Sequence, residues 1–316
     1  MIHELIGIKN NIVEIKKGEH SFDKLVISDD EDVFFSQNLV NDFGDVASKV
    51  KEMVEKYEQD QSKMKTKLDT IEEIKKIAEK FSEFKKESAD VTKHVNIVYE
   101  LTNILQYREL LLISSLEQDI AITNNQTEHF NVKIIINLKR INLILKNTKL
   151  NNLDKVKLVL LYALRYEGDP SIKNLKTSLE EQNLKEYVEY VDFIIEYAGR
   201  KKRSLDLLQN KDLLAKSKNF LKQAFKNCPN VYTQHSSMLS TIVEKCIKGK
   251  SKEDLDTLNV QSKEKFYYFF YFSKFNKIVV FSFGGITFEE VRDMTTLSKN
   301  DLQIIIGGTY IHNSKT

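Results

Sequence analysis

Residues 46–81 read VASKVKEMVEKYEQDQSKMKTKLDTIEEIKKIAEKF, and the spacing of their apolar members decides the class of fold. Val46, Val50, Met53, Tyr57, Met64, Leu68, Ile71, Ile74, Ala78 and Phe81 recur mostly three or four apart, the period of one apolar stripe on an α-helix. The stripe lapses at Asp60, Gln61 and Ser62, where polar residues stand in the expected apolar place. The spacing therefore predicts a turn there, and a hairpin of two helices in place of one rod. Most apolar stripes are core. A projecting helix pair can also leave part of its stripe as a track for partner helices, and the dense charge around Gln61 favours a tip that is only partly packed.

Toward the N-terminus the period shortens. Leu5–Ile8, Ile12–Ile15 and Leu25–Ile27 read as short strands, followed by an acidic turn from Ser28 to Asp32. Toward the C-terminus a second stripe, Val91, Val95, Val98, Leu101, Leu105, Leu112, Leu116 and Ile120, extends the helical region to a turn at Asn124-Asn125. Ile134–Leu145 and Val156–Tyr166 are apolar enough to be buried on most sides, with Asp154 suited to the positive end of the second helix. Gly168-Asp169-Pro170 ends that helix; Leu175–Tyr197 and Leu213–Phe225 again show helical spacing, with the basic run Arg200–Arg203 as an exposed connector.

The last hundred residues differ in kind. After Pro229, Ser236 or Ser237 can cap a helix that Gly249 terminates, and Ile278–Phe281 reads as a strand. Gly284-Gly285, a capping box from Thr287 to Glu290, a short helix, and the strand Gln303–Ile306 with a second glycine turn at Gly307-Gly308 then make a βαβ unit. The fold class expected is mixed: predominantly α-helical, with a partial α/β parallel sheet. The aromatic run Phe266–Phe272 is best read as buried.

Composition removes several function classes. Forty-eight Lys and Arg against 46 Asp and Glu leave a net charge of +2, so no strong global field draws the chain to nucleic acid. Cys228 and Cys246 are too few for a disulfide framework, and neither has a partner at zinc spacing, which fits a reducing, cytoplasmic compartment. No stretch reaches the ~20 apolar residues of a membrane span, so membrane association is expected through partners. The Gly284-Gly285 turn carries Glu289 and Glu290 at the following helix start, where they would repel a phosphate, and no phosphate-loop lysine accompanies it. The histidines are scattered; His94, at helical spacing between Val91 and Val98, reads as a core residue with one hydrogen bond. Neither enzymatic activity, a cofactor, a metal nor a small-molecule substrate is expected.

Seven segments in order carry a family resemblance: Ile2-His3-Glu4-Leu5-Ile6-Gly7-Ile8, Lys93-His94-Val95, Leu116–Ala121, Lys157–Glu167, Asn230–His235, Gly284–Glu290 and Gly307–Lys315. Read together they resemble the Sec/Munc (SM) family of SNARE-binding proteins, and the Tyr232–His235 and His312–Lys315 segments resemble its endosomal, vacuolar-sorting branch. The resemblance implies residues 1–42 as strands linking a sheet domain to a helical domain. It implies residues 43–198 as the helical domain with its projecting hairpin, and 199–316 as the C-terminal half of the sheet domain. It implies a protein peripheral at endosome and Golgi membranes that binds a syntaxin-type SNARE and other SNARE helices in vesicle docking and fusion. The partner groove would then include Met64, Leu68, Ile71, Ile74, Phe81 and Ser82. Three departures accompany the match. Met1 falls at an internal position of the family pattern, so the domain that usually grips the syntaxin N-terminal peptide is not matched. The chain stops at Thr316, where relatives continue with a closing helix. Ser82 stands where many relatives carry a helix-interior proline, a kink worth ~3 kcal/mol, so a straighter second hairpin helix is expected. A helical scaffold or adaptor without SNARE selectivity is the alternative reading; it explains the stripes but not the ordered segments.

Overall fold

The computed structural model describes residues 5–16, 21–64, 71–122, 130–202, 231–232, 234–247, 276–298 and 301–313; of residues 63, 64, 71–84, 130, 245 and 246 it describes the backbone alone. In chain order the elements are β1 (Ile12–Lys16), β2 (Phe22–Val26), α1 (Val33–Asn38), α2 (Phe43–Met64), α3 (Ile71–Tyr107), α4 (Leu110–Ile122), α5 (Phe130–Lys146) and α6 (Asn152–Arg165). They continue with α7 (Ser171–Glu181), a 3-10 turn (Lys185–Tyr187), α8 (Val188–Ala198), α9 (Met238–Ile247), β3 (Lys277–Ser282), α10 (Phe288–Leu297) and β4 (Gln303–Gly308). Leu213–Phe225, Gly249 and the aromatic run Phe266–Phe272 lie outside the described residues. Two compact units result: Met1–Leu105 with Val279–Thr296 and Ile305–Thr316, and Gln106–Ile278 with Leu297–Ile304.

In the first unit β1 and β2 pair antiparallel, with Val13 opposite Leu25 and Ile15 opposite Asp23. Alternation turns Val13 and Ile15 inward, where they join Ile27 and two α3 residues, Ile97 and Leu101, in one cluster. The expected strand at Leu5–Ile8 does not form. Gly7 sits at φ 96, outside the extended region, and Leu5, Ile6 and Ile8 pack as side chains on the cluster instead. The turn expected at Asp60–Ser62 is also absent, because α2 runs through these residues to Met64. Ser62 accommodates itself to the helix by donating its hydroxyl back to the Glu58 carbonyl at 2.8 Å. The following helix, α3, is unbroken over 37 residues, which spans about 55 Å at helical rise. It ends where Glu109 adopts φ 49, so the stripe read from Val91 to Ile120 belongs to two helices.

The βαβ unit forms with a parallel pair. The Gln303 amide donates to the Asn276 carbonyl at 2.9 Å and the Thr309 amide to the Ser282 carbonyl at 3.3 Å, the same offset at both ends of the ladder. Gly284 and Gly285 turn the chain at φ 103 and 108. Gly307 and Gly308, expected as a second turn, instead lie within β4. Gly308 is needed there for close approach, since a Cβ on it would stand 3.1 Å from the Gly285 carbonyl carbon.

In the second unit α4 to α8 surround a core that includes Leu116, Ile120, Ile141, Leu158, Val159, Tyr162, Leu175, Leu179 and Val191. The run Lys157–Leu164 is apolar almost all round, so α6 is the central helix, as its composition predicts. By contrast α5, expected to be buried on most sides, leaves Ile135, Ile136 and Leu143 exposed. The stretch Leu175–Tyr197 divides at Asn183, which takes φ 59 between α7 and the 3-10 turn. Asn151 caps α6 by accepting from the Leu153 amide at 2.8 Å, while Asp154 is drawn inside and accepts a fork of bonds from Arg108, 3.0 Å from Nε and 2.6 Å from Nη2. Asp154 is thus an ion-pair anchor as well as a first-turn carboxylate.

Removing one member of this buried pair strands the other. We expect Asp154→Ala to destabilise the chain by about 2–4 kcal/mol, read as a lowered midpoint of urea unfolding, whereas an unchanged midpoint would show the pair to be dispensable.

Candidate functional site

The candidate site is the α2–α3 hairpin together with the short helix that clips its base. Asp32 starts this helix, α1, and accepts from the Phe35 amide at 2.9 Å. Its side chain is nearly buried and meets two residues of α3: Lys93 Nζ at 2.5 Å and His94 Nε2 at 3.1 Å. At the other end of α1, Asn38 Oδ1 accepts from Lys49 Nζ of α2 at 2.8 Å and from the Asn41 amide group at 2.7 Å. Five residues, Asp32, Asn38, Lys49, Lys93 and His94, therefore tie both hairpin helices to one another through a third element. Further along, Lys56 and Glu87 face each other across the pair at 3.7 Å, an exposed contact that marks adjacency more than strength.

The charges at the clip follow from its surroundings. Burial alone would raise the Asp32 pKa, but the Lys93 ammonium, the Phe35 amide and His94 outweigh it and hold the carboxyl below its ordinary value. Burial lowers His94 more than the Asp32 charge raises it, which favours the neutral imidazole at neutral pH. A neutral imidazole facing a carboxylate must carry its proton on Nε2 and donate it to Asp32 Oδ1. Burial would lower Lys93, and the carboxylates of Asp32 and Asp90 more than offset that. His94 is thus the buried, hydrogen-bonded core residue that its spacing predicts, with the Phe34 ring packed at 4.5 Å between centroids.

Beside the clip lies an open cleft of about 720 Å³, lined by Gln37, Lys49, Met53, Lys56, Lys86 and Glu87 among others. A smaller apolar cavity of about 80 Å³ lies under α1, between Phe34, Phe35, Val46, Val98 and Phe288. Of the groove residues named from sequence, Ile71, Ile74, Phe81 and Ser82 lie on the unbroken backbone of α3 and Met64 is the last residue of α2. Leu68 and the side chains of the other five lie outside the described residues. The clip itself escapes sequence reading: α1 is too short to show a period, and Asp32 reads only as part of an acidic turn.

Nothing in this geometry arranges a nucleophile against a base, and among the described residues no cluster of His, Cys, Asp and Glu could hold a metal. The glycine turn of the βαβ unit is filled by its own chain. The Gly284 amide donates to Thr309 Oγ1 at 3.0 Å, Ile286 to the Tyr310 carbonyl at 2.8 Å and Thr287 to Glu290 Oε2 at 2.8 Å. Amides that a phosphate would require are already engaged.

A long helix pair and a βαβ unit in one compact unit, with a five-helix core in the other, define a mixed, predominantly α-helical class of protein. The chain belongs to the Sec1 family, whose model matches residues 1–316. It is 34% identical over 330 residues to vacuolar protein sorting-associated protein 45 of Rattus norvegicus, covering 100% of this chain and 54% of the relative. The Arabidopsis thaliana homolog is 31% identical over 323 residues, again covering 100% of this chain and 54% of the relative. Among solved structures, the SM protein Vps45 in complex with the Qa SNARE Tlg2 matches with a TM-score of 0.76 at 29% identity, covering 100% of this chain and 54% of that one. The Unc18–syntaxin 1 complex of Monosiga brevicollis matches with a TM-score of 0.66 at 16% identity over 99% of this chain and 55% of that one, a likeness of fold. The chain spans about half the length of the curated relatives it matches. These relatives are of the vacuolar-sorting branch to which the Tyr232–His235 and His312–Lys315 segments pointed.

The clip should be sensitive to acid. Burial holds the His94 pKa below the ordinary imidazole value of 6.5, so its contribution is present above that value and is lost as pH falls below it. Asp32, held below 3.8, contributes until much lower pH. We expect the thermal midpoint followed by circular dichroism to fall as pH drops from 6.5 toward 5, and His94→Gln to flatten that part of the profile. A variant profile parallel to the parent's would remove His94 from the account.

Proposed function

We propose that this chain is a SNARE-binding regulator of vesicle docking and membrane fusion in endosomal, trans-Golgi and vacuolar protein transport, templating SNARE helix assembly on the α2–α3 hairpin. The observation that carries the reading is a 37-residue helix running beside a 22-residue one and clipped to it at the base through Asp32 and Asn38. A SNARE motif is an amphipathic helix, and it needs a rigid, partly apolar helical track of this kind. The match to Vps45 bound to the Qa SNARE Tlg2 supports the same partner class.

On this reading residues 1–42 link the sheet domain to the helical domain, 43–198 form the helical domain and 199–316 the C-terminal half of the sheet domain. The track consists of Met64, Leu68, Ile71, Ile74 and Phe81, which bracket the far end of the hairpin in sequence. The chain works by binding and performs no catalysis. It acts in the cytoplasm, peripheral to endosome and Golgi membranes; among the described residues no helix is long and apolar enough to cross one.

The test is capture of purified SNARE motifs by the chain, with and without the double change Leu68→Asp, Ile71→Asp. Selective capture of endosomal SNAREs, reduced about tenfold or more by the double change, is expected, because two charges on an apolar track each cost on the order of 1 kcal/mol or more. A folded chain that captures none, or captures all equally with the double change in place, would overturn the assignment. Ser82→Pro introduces a helix-interior proline worth ~3 kcal/mol of disruption and should weaken capture; unchanged affinity would separate the bend of α3 from SNARE binding.

A further inference from the structure

The face of α5 that points away from its unit has a composition that the hairpin reading leaves unused. Val132, Ile135, Ile136 and Leu143 are 52%, 52%, 48% and 70% exposed. They recur with Lys139 and Lys146 at intervals of three and four, so all six share one stripe of the helix. The opposite face, with Asn137, Ile141, Ile144 and Leu145, is buried against the unit core, which holds the stripe in place before any partner arrives.

Charge on this helix has a single sign. From Phe130 to Leu153 the sequence contains Lys133, Lys139, Arg140, Lys146 and Lys149 and no Asp or Glu. Arg140 is engaged by Asp119 and Ser115 of α4. Lys133, Lys139, Lys146 and Lys149 are exposed and make no ion pair among the described residues.

We propose that this stripe docks on an anionic lipid surface. Half-exposed branched aliphatics flanked by unpaired lysines are the pattern of a helix lying in a membrane interface, with the apolar side chains entering the headgroup boundary and the ammonium groups reaching lipid phosphates. A protein partner is less well matched. Specific helix pairing uses charges of both signs to set register, and protein hot spots favour Trp, Tyr and Arg where this stripe offers Val, Ile, Leu and Lys. Membrane association would then be intrinsic to the chain and additional to whatever its partners supply. The inference does not depend on SNARE binding.

Flotation of the full chain with vesicles tests it, using neutral phosphatidylcholine in one arm and phosphatidylcholine with about one-third phosphatidylserine in the other. The chain should float with the anionic vesicles and not the neutral ones, and ~0.5 M salt should release it by screening the lysines. Leu143→Asp and the pair Lys139→Glu, Lys146→Glu should each cut the bound fraction about fivefold or more, with helical circular dichroism unchanged because the altered side chains are exposed. No flotation by the folded parent chain would overturn the proposal. So would flotation that ignores lipid charge and salt, or that survives both sets of changes.

Discussion

A single buried carboxylate holds the base of the α2–α3 hairpin in place. Asp32 caps α1, pairs with Lys93 and accepts from His94, and the helix it caps reaches α2 through Asn38 and Lys49. Two helices joined only at a distal turn can splay, since exposed pairs such as Lys56–Glu87 contribute little. A buried, charge-assisted knot at the base removes that freedom where leverage on the far end is greatest. The same knot holds α3 against Val13, Ile15 and Ile27 of the β-hairpin, because Ile97 and Leu101 lie one and two turns beyond His94.

The second unit solves a related problem differently. Its central helix α6 is apolar on nearly every side, so four other helices can pack around it without a sheet. The start of that helix carries a buried polar fastening, Arg108 to Asp154, which ties the segment just after α3 to the core. A fork of two bonds fixes orientation as well as distance. Both units thus combine apolar packing with a buried carboxylate that accepts charge-assisted bonds, Asp32 in the first and Asp154 in the second.

Most helices are legible from spacing alone, because stripes such as Val46–Tyr57 and the run Lys157–Leu164 persist over several turns. The failures share a cause: local pattern read without the neighbour that decides it. Leu5–Ile8 alternates like a strand but has a left-handed glycine in its middle. Asp60–Ser62 interrupts a stripe that a solvent-facing helix does not require to be continuous. Gly307-Gly308 reads as a turn until the approach of Gly285 gives it another use. The capping box at Thr287 and Glu290 is legible because every partner lies within one helical turn. The clip is not, since Asp32 and His94 are 62 residues apart and neither carries a signal of the other.

The hairpin has its buried polar fastening at the base, around Asp32 and Asn38. On the proposed reading a partner helix need not touch those base side chains. That arrangement suits a template whose partner is a helix, because the partner supplies its own backbone hydrogen bonds and asks only for a straight apolar track held at constant spacing. In the second unit α5 shows the same economy: its buried face belongs to the core, while its outward face is left to other chemistry. Charge of one sign on that face and mixed charge along the hairpin are consistent with two different kinds of surface. A lipid headgroup layer accepts any register, and a helix accepts only one.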